Sequence, residues 1–390
     1  MPSSRKLIAL IFKFGLGAVG LIFLVVVGLI AYVGLKQHRY SAIPDTRDLP
    51  KRIDAMAAEY LGTRKNGGLV SGVIQRGQRF IRGYGRVNDT DRSPPDGATL
   101  FEIGSITKVF TAVTLAGMAL DGKVRLNDPI SLYLPKEVTN RQLQQITLGH
   151  LATHTSGLPR LPENFDKSSR DDANPYANYR ATDLYDGLNQ AKPNQPPRKK
   201  SDYSNLGYGL LGHILELRAG RPYERLVEEW ICLPLAMTNT AIHLTDEQKK
   251  RLSPGHNSKG EVVSNWDFDV LAAAGAFRSN ADDLLAFVAA NLSATGSQIS
   301  KSLQESHKKR FESWDGAIGL GWQITETMEG LNIFWHNGGT GGYASFIGFD
   351  PEHQTGVVIL SNYGDAFAGD DSVDRMSLEI LKVAAKVSFD

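Results

Sequence analysis

Residues 101–120 constrain the fold more than any other stretch of the chain. They begin with FEIGSITKVFTA, in which Gly104 and Ser105 precede an apolar run from 109 to 120. Because this run is apolar at nearly every position, it predicts a helix that starts at about Ser105 and is buried on all sides. A chain of 390 residues is long enough to form the one large core, or the two lobes, that such a helix needs.

Ser105 and Lys108 give this stretch its chemical interest. They are three residues apart and would share one face of the helix. A serine hydroxyl is a poor nucleophile at pH 7, and a nearby lysine whose pKa is lowered by burial can act as its base. A helix N-terminus also favours negative charge at the serine oxygen. Ser-x-x-Lys recurs at Ser3 and Ser306 in polar surroundings that predict solvated surface, so spacing alone leaves both a catalytic and a structural role open for Ser105.

Composition narrows the classes of function. The net charge is +1, which gives no basis for predicting nucleic-acid binding. The single cysteine, Cys232, predicts a buried thiol and no internal disulfide. His150 and His154 lie four residues apart, but His-Glu-x-x-His is absent and no third ligand is evident nearby. We therefore predict neither a metal site nor a cofactor.

The N-terminal region predicts a membrane anchor. Residues 14–35 are uncharged and apolar, and 22 residues span about 33 Å as a helix, enough for a bilayer core. No small-residue cleavage site ends the run, which favours an uncleaved transmembrane helix. We assign 1–13 as a basic tail, 14–35 as the anchor, 36–51 as a linker and 52–390 as the folded domain. Three basic residues before the run against two after it favour a single pass through the inner membrane, with the domain outside the cytoplasm.

Periodicity along the rest of the chain predicts an α+β fold. Expected elements are a helix near 53–61, a hairpin over 68–86, a helix opened by Tyr203 and Asn205, a helix starting near Asn280, strands at 319–325, 331–336, 344–349 and 356–361, and a helix over 373–387. Strand patterns at both ends of the chain predict one antiparallel sheet flanked by helices, with a mainly helical lobe inserted between them. The polar segment 160–201 reads as a surface excursion with one helix near 182–190, and its Tyr176-x-Asn178 as a chance match.

Five segments, taken together and in order, resemble the serine β-lactamase and penicillin-binding-protein superfamily. They are FEIGSITKVFTA, HLATHTSGLP, YSNLGYGLLG, AGAFRSNADDLLAF and HNGGTGGYASFIGFD. The resemblance covers roughly residues 52–386. It is greatest to the branch of class C β-lactamases, D-alanyl-D-alanine carboxypeptidases and related esterases, and it implies the β-lactamase/transpeptidase-like form of the α+β fold.

The resemblance implies a role for each residue of a catalytic set. Ser105 would be the acylated nucleophile and Lys108 its activating partner. Tyr203 would act as, or share, the general base and pass a proton to the leaving group. Asn205 would hydrogen-bond Lys108 and the substrate amide.

The resemblance also implies how a strand lines the cleft. His336, Asn337 and Gly338 stand where many members carry Lys-Thr-Gly, and the backbone amides of Ser105 and Gly339 would form the oxyanion hole. Histidine at position 336 carries a charge only when protonated, so a preference for carboxylate-bearing substrates is left open. A second departure is Pro-Pro-Arg-Lys-Lys at 196–200, where relatives usually have Pro-Pro-Gly.

The sequence leaves two alternative functions. One is a hydrolase that works through an acyl-enzyme on an ester, amide or lactam of a small molecule or peptide. The other is a non-catalytic cell-wall binding or sensing module on the same fold. The intact set Ser105, Lys108, Tyr203 and Asn205 favours the hydrolase, because a binding module does not need all four. The substrate and the oligomeric state stay open.

Overall fold

The computed structural model describes residues 48–88, 90–166, 171–313, 316–364 and 372–387, which belong to one compact unit, Thr46–Asp390. The predicted tail, the anchor at 14–35 and nearly all of the linker lie outside the described residues. Within the described ranges, no helix combines the length and the apolar character needed to cross a bilayer.

The elements follow one another in blocks, with strands at both ends of the domain and helices in the middle. The helices are α1 (Leu49–Leu61), α2 (Thr107–Leu120), α3 (Leu148–Ala152), α4 (Ala181–Gln190), α5 (Asn205–Ala219), α6 (Tyr223–Val227), α7 (Asp246–Lys249), α8 (Ala281–Leu292), α9 (Gln298–His307) and α10 (Val373–Ala384). The strands are β1 (Gly68–Gln75), β2 (Gln78–Gly85), β3 (Phe101–Glu102), β4 (Arg278–Ser279), β5 (Phe311–Ser313), β6 (Gly316–Ile318), β7 (Gln323–Glu326), β8 (Asn332–Gly339), β9 (Ala344–Asp350) and β10 (Thr355–Ser361).

One antiparallel sheet joins the two ends of the domain. Its strand order is β2-β1-β10-β9-β8-β7-β6-β5, with Leu69 of β1 opposite Ser361 of β10. The prediction that the 68–86 hairpin shares a sheet with the C-terminal strands is confirmed. Strands β1, β9 and β10 are buried throughout, because α8 packs on one face of them while α1 and α10 cover the other. A second, two-stranded sheet pairs β3 with β4.

Helix α2 lies between two hydrophobic cores. All of its residues from Thr107 to Met118 are buried. Val109, Phe110 and Val113 belong to the core that α2 shares with the sheet, whereas Ala112 and Leu115 belong to the core of the helical lobe. The prediction of a helix buried on all sides is confirmed, with Ser105 in the 3-10 turn Gly104–Ile106 directly before it.

The structure departs from the sequence-based expectations in the region 298–325. Helix α9 and strands β5 and β6 were not predicted, and the strand expected at 319–325 is confined to Gln323–Glu326 because Gly321 turns the chain with φ +77°. Ser306, expected on solvated surface, is buried: its hydroxyl donates to Leu303 O and accepts from Trp322 Nε1 at 3.2 Å. The Ser306-x-x-Lys309 match is therefore part of the packing of α9. The helix expected near 182–190 is α4, and Cys232 is buried as predicted.

Two glycines allow the turn that carries Ser105 to pack directly on β8. A Cβ added to Gly338 would lie 2.0 Å from Ile103 O, and one added to Gly104, whose φ is +48°, would lie 2.6 Å from Gly339 N. Ser345 on β9 strengthens this contact, because its hydroxyl donates to Ile103 O at 2.9 Å. The position of Ser105 relative to β8 therefore depends on backbone-to-backbone packing.

We expect Gly338→Ala to destabilise the protein by about 1–3 kcal/mol, because the added methyl group overlaps a backbone carbonyl that cannot move away alone. Urea unfolding measures the loss. Gly62→Ala is the matched control, since the nearest atoms to its added Cβ lie at an ordinary 3.4 Å. The control is expected to stay within about 0.5 kcal/mol of the wild type. Equal urea midpoints for both variants would contradict the close packing.

Candidate active site

The Ser105 hydroxyl is held by two titratable side chains. Ser105 is partly exposed, and its Oγ lies 3.0 Å from Lys108 Nζ and 2.7 Å from Tyr203 Oη, which donates to it. Lys108 reaches Ser105 from the first turn of α2, whereas Tyr203 arrives from the segment just before α5. The structure thus brings together three residues that are up to 98 positions apart in the sequence.

Lys108 is buried without a counterion. Its Nζ hydrogen-bonds to Ser105 Oγ, to Asn205 Oδ1 at 2.9 Å and to Ala274 O at 2.6 Å, and no carboxylate among the described residues pairs with it. Burial, together with the positive charge of Arg160, holds the pKa of Lys108 well below its usual 10.5. These surroundings favour the neutral amine, which can accept a proton.

Tyr203 and Asn205 flank the N-cap of α5. Ser204 caps the helix by accepting from Gly207 N at 2.8 Å, which places Asn205 at the first helical position, facing Lys108. The Asn205 amide bridges two groups, because its Oδ1 accepts from Lys108 and its Nδ2 donates to Tyr176 Oη at 3.0 Å. Desolvation raises the pKa of Tyr203 well above 10, so its hydroxyl keeps its proton in this environment.

His154 packs against the ring of Tyr203 and hydrogen-bonds the residue that follows it. Its ring centre lies 4.4 Å from that of Tyr203, and its Nδ1 accepts from Ser204 N at 3.1 Å. Burial and the nearby Lys108 hold the pKa of His154 well below 6.5, so the ring is neutral. His150, four residues earlier, instead accepts from Thr147 N at the start of α3. The two histidines that matched metal-site spacing therefore serve different backbone segments.

Strand β8 brings His336 into the site in a neutral form. His336 is 3% exposed, and its ring centre lies 6.4 Å from that of Tyr203. Burial and the charge of Lys108 lower the pKa of His336 to about 4. Nδ1 donates to Asn337 O at 2.6 Å, because a carbonyl can only accept. At pH 7 this ring carries no positive charge with which to attract a carboxylate.

The side chain of Asn337 is not brought to Ser105. Alternation along a strand places it on the opposite face from His336, where its Nδ2 donates to Asp374 Oδ2 at 2.6 Å on α10. Gly338 has no side chain and packs on Ile103 O, and the Gly339 amide lies beside Gly104 in the turn that carries Ser105. At these three positions only backbone can face the cleft.

Sequence reasoning missed three groups that complete the site: His154, the carbonyl of Ala274 and Tyr176. Tyr176 belongs to the match dismissed as chance, yet it is 6% exposed, stacks on Phe268 with ring centres 4.4 Å apart and accepts from Asn205. Its only signal in the sequence was an aromatic residue inside a polar excursion. Ala274 lay within a quoted segment, but a backbone acceptor leaves no signature in residue type.

Comparison with known proteins places these residues in a family. Residues 53–379 match the family model described as Beta-lactamase. A β-lactamase of Pseudomonas fluorescens is 29% identical over 352 residues, which cover 81% of this chain and 94% of that protein. A β-lactamase of Escherichia coli K12 is 26% identical over 329 residues, covering 76% of this chain and 84% of that one.

A solved structure supports the same fold. The crystal structure of a β-lactamase/D-alanine carboxypeptidase from Pseudomonas syringae aligns with a TM-score of 0.74 at 21% identity, covering 86% of this chain and 98% of that one. The family match spans most of the chain and every residue from Ser105 to Gly339 discussed above. This chain therefore belongs to the β-lactamase family of serine hydrolases.

Proposed function

We propose that this protein cleaves an amide, ester or β-lactam through an acyl-enzyme formed on Ser105. One observation carries the proposal: the Ser105 hydroxyl is hydrogen-bonded both to a buried lysine without a counterion and to a tyrosine hydroxyl. The amine can take a proton, and the phenol can give one. A serine placed between two such groups has the partners that nucleophilic catalysis requires.

The pKa directions support Lys108 as the acceptor of the first proton. Its pKa is lowered, which favours an amine able to accept, whereas the raised pKa of Tyr203 disfavours a phenolate. Ser105 Oγ would bond to the substrate carbonyl carbon as its proton moves to Lys108 Nζ. The negative charge that develops on the carbonyl oxygen would be held by the backbone amides of Ser105 and Gly339.

Bond cleavage then returns the proton. The bond to the leaving group breaks, and that group takes a proton from Tyr203 Oη, which is replenished from Lys108. Water would attack the acyl-enzyme ester by the same route in reverse and release Ser105. Asn205, bonded to Lys108 and Tyr176, holds the amine in place during both halves of the reaction.

A non-catalytic binding module is the second candidate. It would account for the fold and for the polar cleft, but it gains nothing from Lys108, since an ionisable amine buried without a counterion costs stability. The hydrolase accounts for that cost, because the same burial produces the base. We therefore favour the hydrolase.

Ser105→Ala is expected to abolish covalent labelling and turnover while the fold survives. A fluorophosphonate should add one adduct to the wild type by intact mass, and none to Ser105→Ala, because the acyl-enzyme route needs this oxygen. Exposure to a penicillin in parallel tests whether a lactam also acylates. The control is Ser306→Ala, the other described Ser-x-x-Lys serine, which should still be labelled. Turnover that persists in Ser105→Ala would overturn the mechanism, and a wild type without label or turnover would favour the binding module.

The pH profile for a neutral ester should show an acid limb well below pH 10.5. Lys108 is active as the amine, so kcat/KM is lost as the pH falls through its lowered pKa and is present above it. Tyr203 keeps its proton past its usual value of 10.0, so no alkaline limb is expected below pH 10. Lys108→Arg should lower kcat by several orders of magnitude, since guanidinium does not deprotonate. A wild-type rate that rises only near pH 10.5 would contradict the lowered pKa of Lys108, because it is the profile of a lysine in water.

We also propose that residues 14–35 anchor the enzyme in the inner membrane with its catalytic domain outside the cytoplasm. The support is the uncharged run itself and the basic residues before it. The protein should remain in the membrane fraction through a high-salt wash and leave it only with detergent. Mature protein in a soluble periplasmic fraction, with an N-terminus beyond residue 30, would contradict the anchor.

A further inference from the structure

Arg160 is an exposed arginine at the site for which no catalytic role has been derived. It follows the HTSGLP segment, and its guanidinium carbon lies 5.1 Å from the centre of the Tyr203 ring. No carboxylate among the described residues pairs with it. The exposed arginines at 82, 221 and 225 each pair with an acidic side chain, whereas Arg79, which is also exposed, pairs with no carboxylate among the described residues.

The backbone around Arg160 is fixed to the catalytic segment. Arg160 O accepts from Asn205 N at 2.9 Å and from Leu206 N at 3.1 Å, and Ser204 Oγ donates to Pro159 O at 2.7 Å. These bonds attach the loop to the start of α5, directly beside Tyr203. The backbone of Arg160 therefore holds a set position beside Tyr203.

The other basic groups of the site are shielded or neutral. His336 is neutral above a pH of about 4, His154 is neutral, and the buried surroundings of Lys108 favour its amine. The field of Arg160 reaches the interior, since its positive charge lowers the pKa of Lys108 and opposes the rise at Tyr203. At neutral pH a permanent positive charge thus stands at the rim, beside an interior that carries little charge.

We propose that Arg160 is a carboxylate-binding subsite, so that favoured substrates carry an anionic group near the scissile bond. This inference rests on the hydrolase proposed above and adds its substrate class. An arginine stacked over an aromatic ring keeps the N–H groups at its edge free, and these match the two oxygens of a carboxylate. The subsite would supply the charge that His336 lacks.

A purely structural role predicts a different outcome. If Arg160 only holds the Tyr203 ring in place, its removal should slow reaction with every substrate by the same factor. If it binds a carboxylate, its removal should weaken binding of anionic reagents specifically, in addition to any common factor that comes from the changed pKa of Lys108. The two roles separate when reagents differ only in charge.

The test uses two fluorophosphonates that differ in one group: a short alkyl chain ends in a carboxylate in one and in its methyl ester in the other. Intact mass gives the labelling rate of the full-length protein in detergent. The wild type should favour the carboxylate probe, and Arg160→Ala should lose about ten- to a hundredfold with that probe, mainly in binding rather than in the maximal rate. At a pH above the acid limb of the profile, where Lys108 is already the amine, the methyl ester should change less than about twofold, and Arg160→Glu should reverse the preference.

Control variants separate the possible failures. Arg79→Ala removes an exposed arginine on β2, which three other strands separate from β8, and should leave both rates unchanged. His336→Gln should change both rates by the same factor, because the ring is neutral. Equal losses for both probes in Arg160→Ala, or no loss, would overturn the subsite. A wild type that neither probe labels would instead overturn the proposed hydrolase.

Discussion

The site depends on one energetically unfavourable feature: the amine of Lys108 is buried, and no carboxylate in the described part of the chain pairs with it. Its three acceptors, Ser105 Oγ, Asn205 Oδ1 and Ala274 O, are all neutral and belong to different segments. Hydrogen bonds to neutral oxygens satisfy the amine but compensate only part of the cost of an ammonium in a dry interior. Burial between α2, α5 and the turn before β4 therefore lowers the basicity of Lys108, although its hydrogen bonds partly oppose the effect.

The buried amine of Lys108 affects the pKa values of the other titratable groups around it. The positive charge of Lys108 contributes, after burial, to the lowered pKa values of His154 and His336, while desolvation raises that of Tyr203. Each group is pushed towards its neutral form, and in the proposed mechanism Lys108 therefore starts as an amine that can accept the Ser105 proton. The contrast with the permanently charged Arg160 follows from depth, because only a group at the rim keeps its hydration.

Sequence periodicity was sufficient to predict a helix or strand where a single hydrophobic pattern determines that element. The apolar run at 109–120, the hairpin at 68–86 and the helix capped by Asn280 were all predictable, since burial dictates residue type there. The short strands β5 and β6 have too few residues to show a period. The strand expected at 319–325 begins only at Gln323, because Gly321 turns the chain where α2 approaches closely. Tyr176 escaped notice because its bond to Asn205 joins positions 29 apart, which no local pattern encodes.

The motif match at 336–338 correctly identified β8 as the strand beside Ser105. It did not show which face each side chain occupies, because side chains alternate between the two faces of a strand. His336 and Gly338 face the Ser105 turn, whereas Asn337 bonds Asp374, whose pKa burial raises to about 6. Because Gly338 and Gly104 bring two backbones into contact, β8 has no room there for a side chain that could read a substrate. In the proposed hydrolase, selectivity would then come from other side chains near Ser105, and the loop bonded to the start of α5 is placed to supply them.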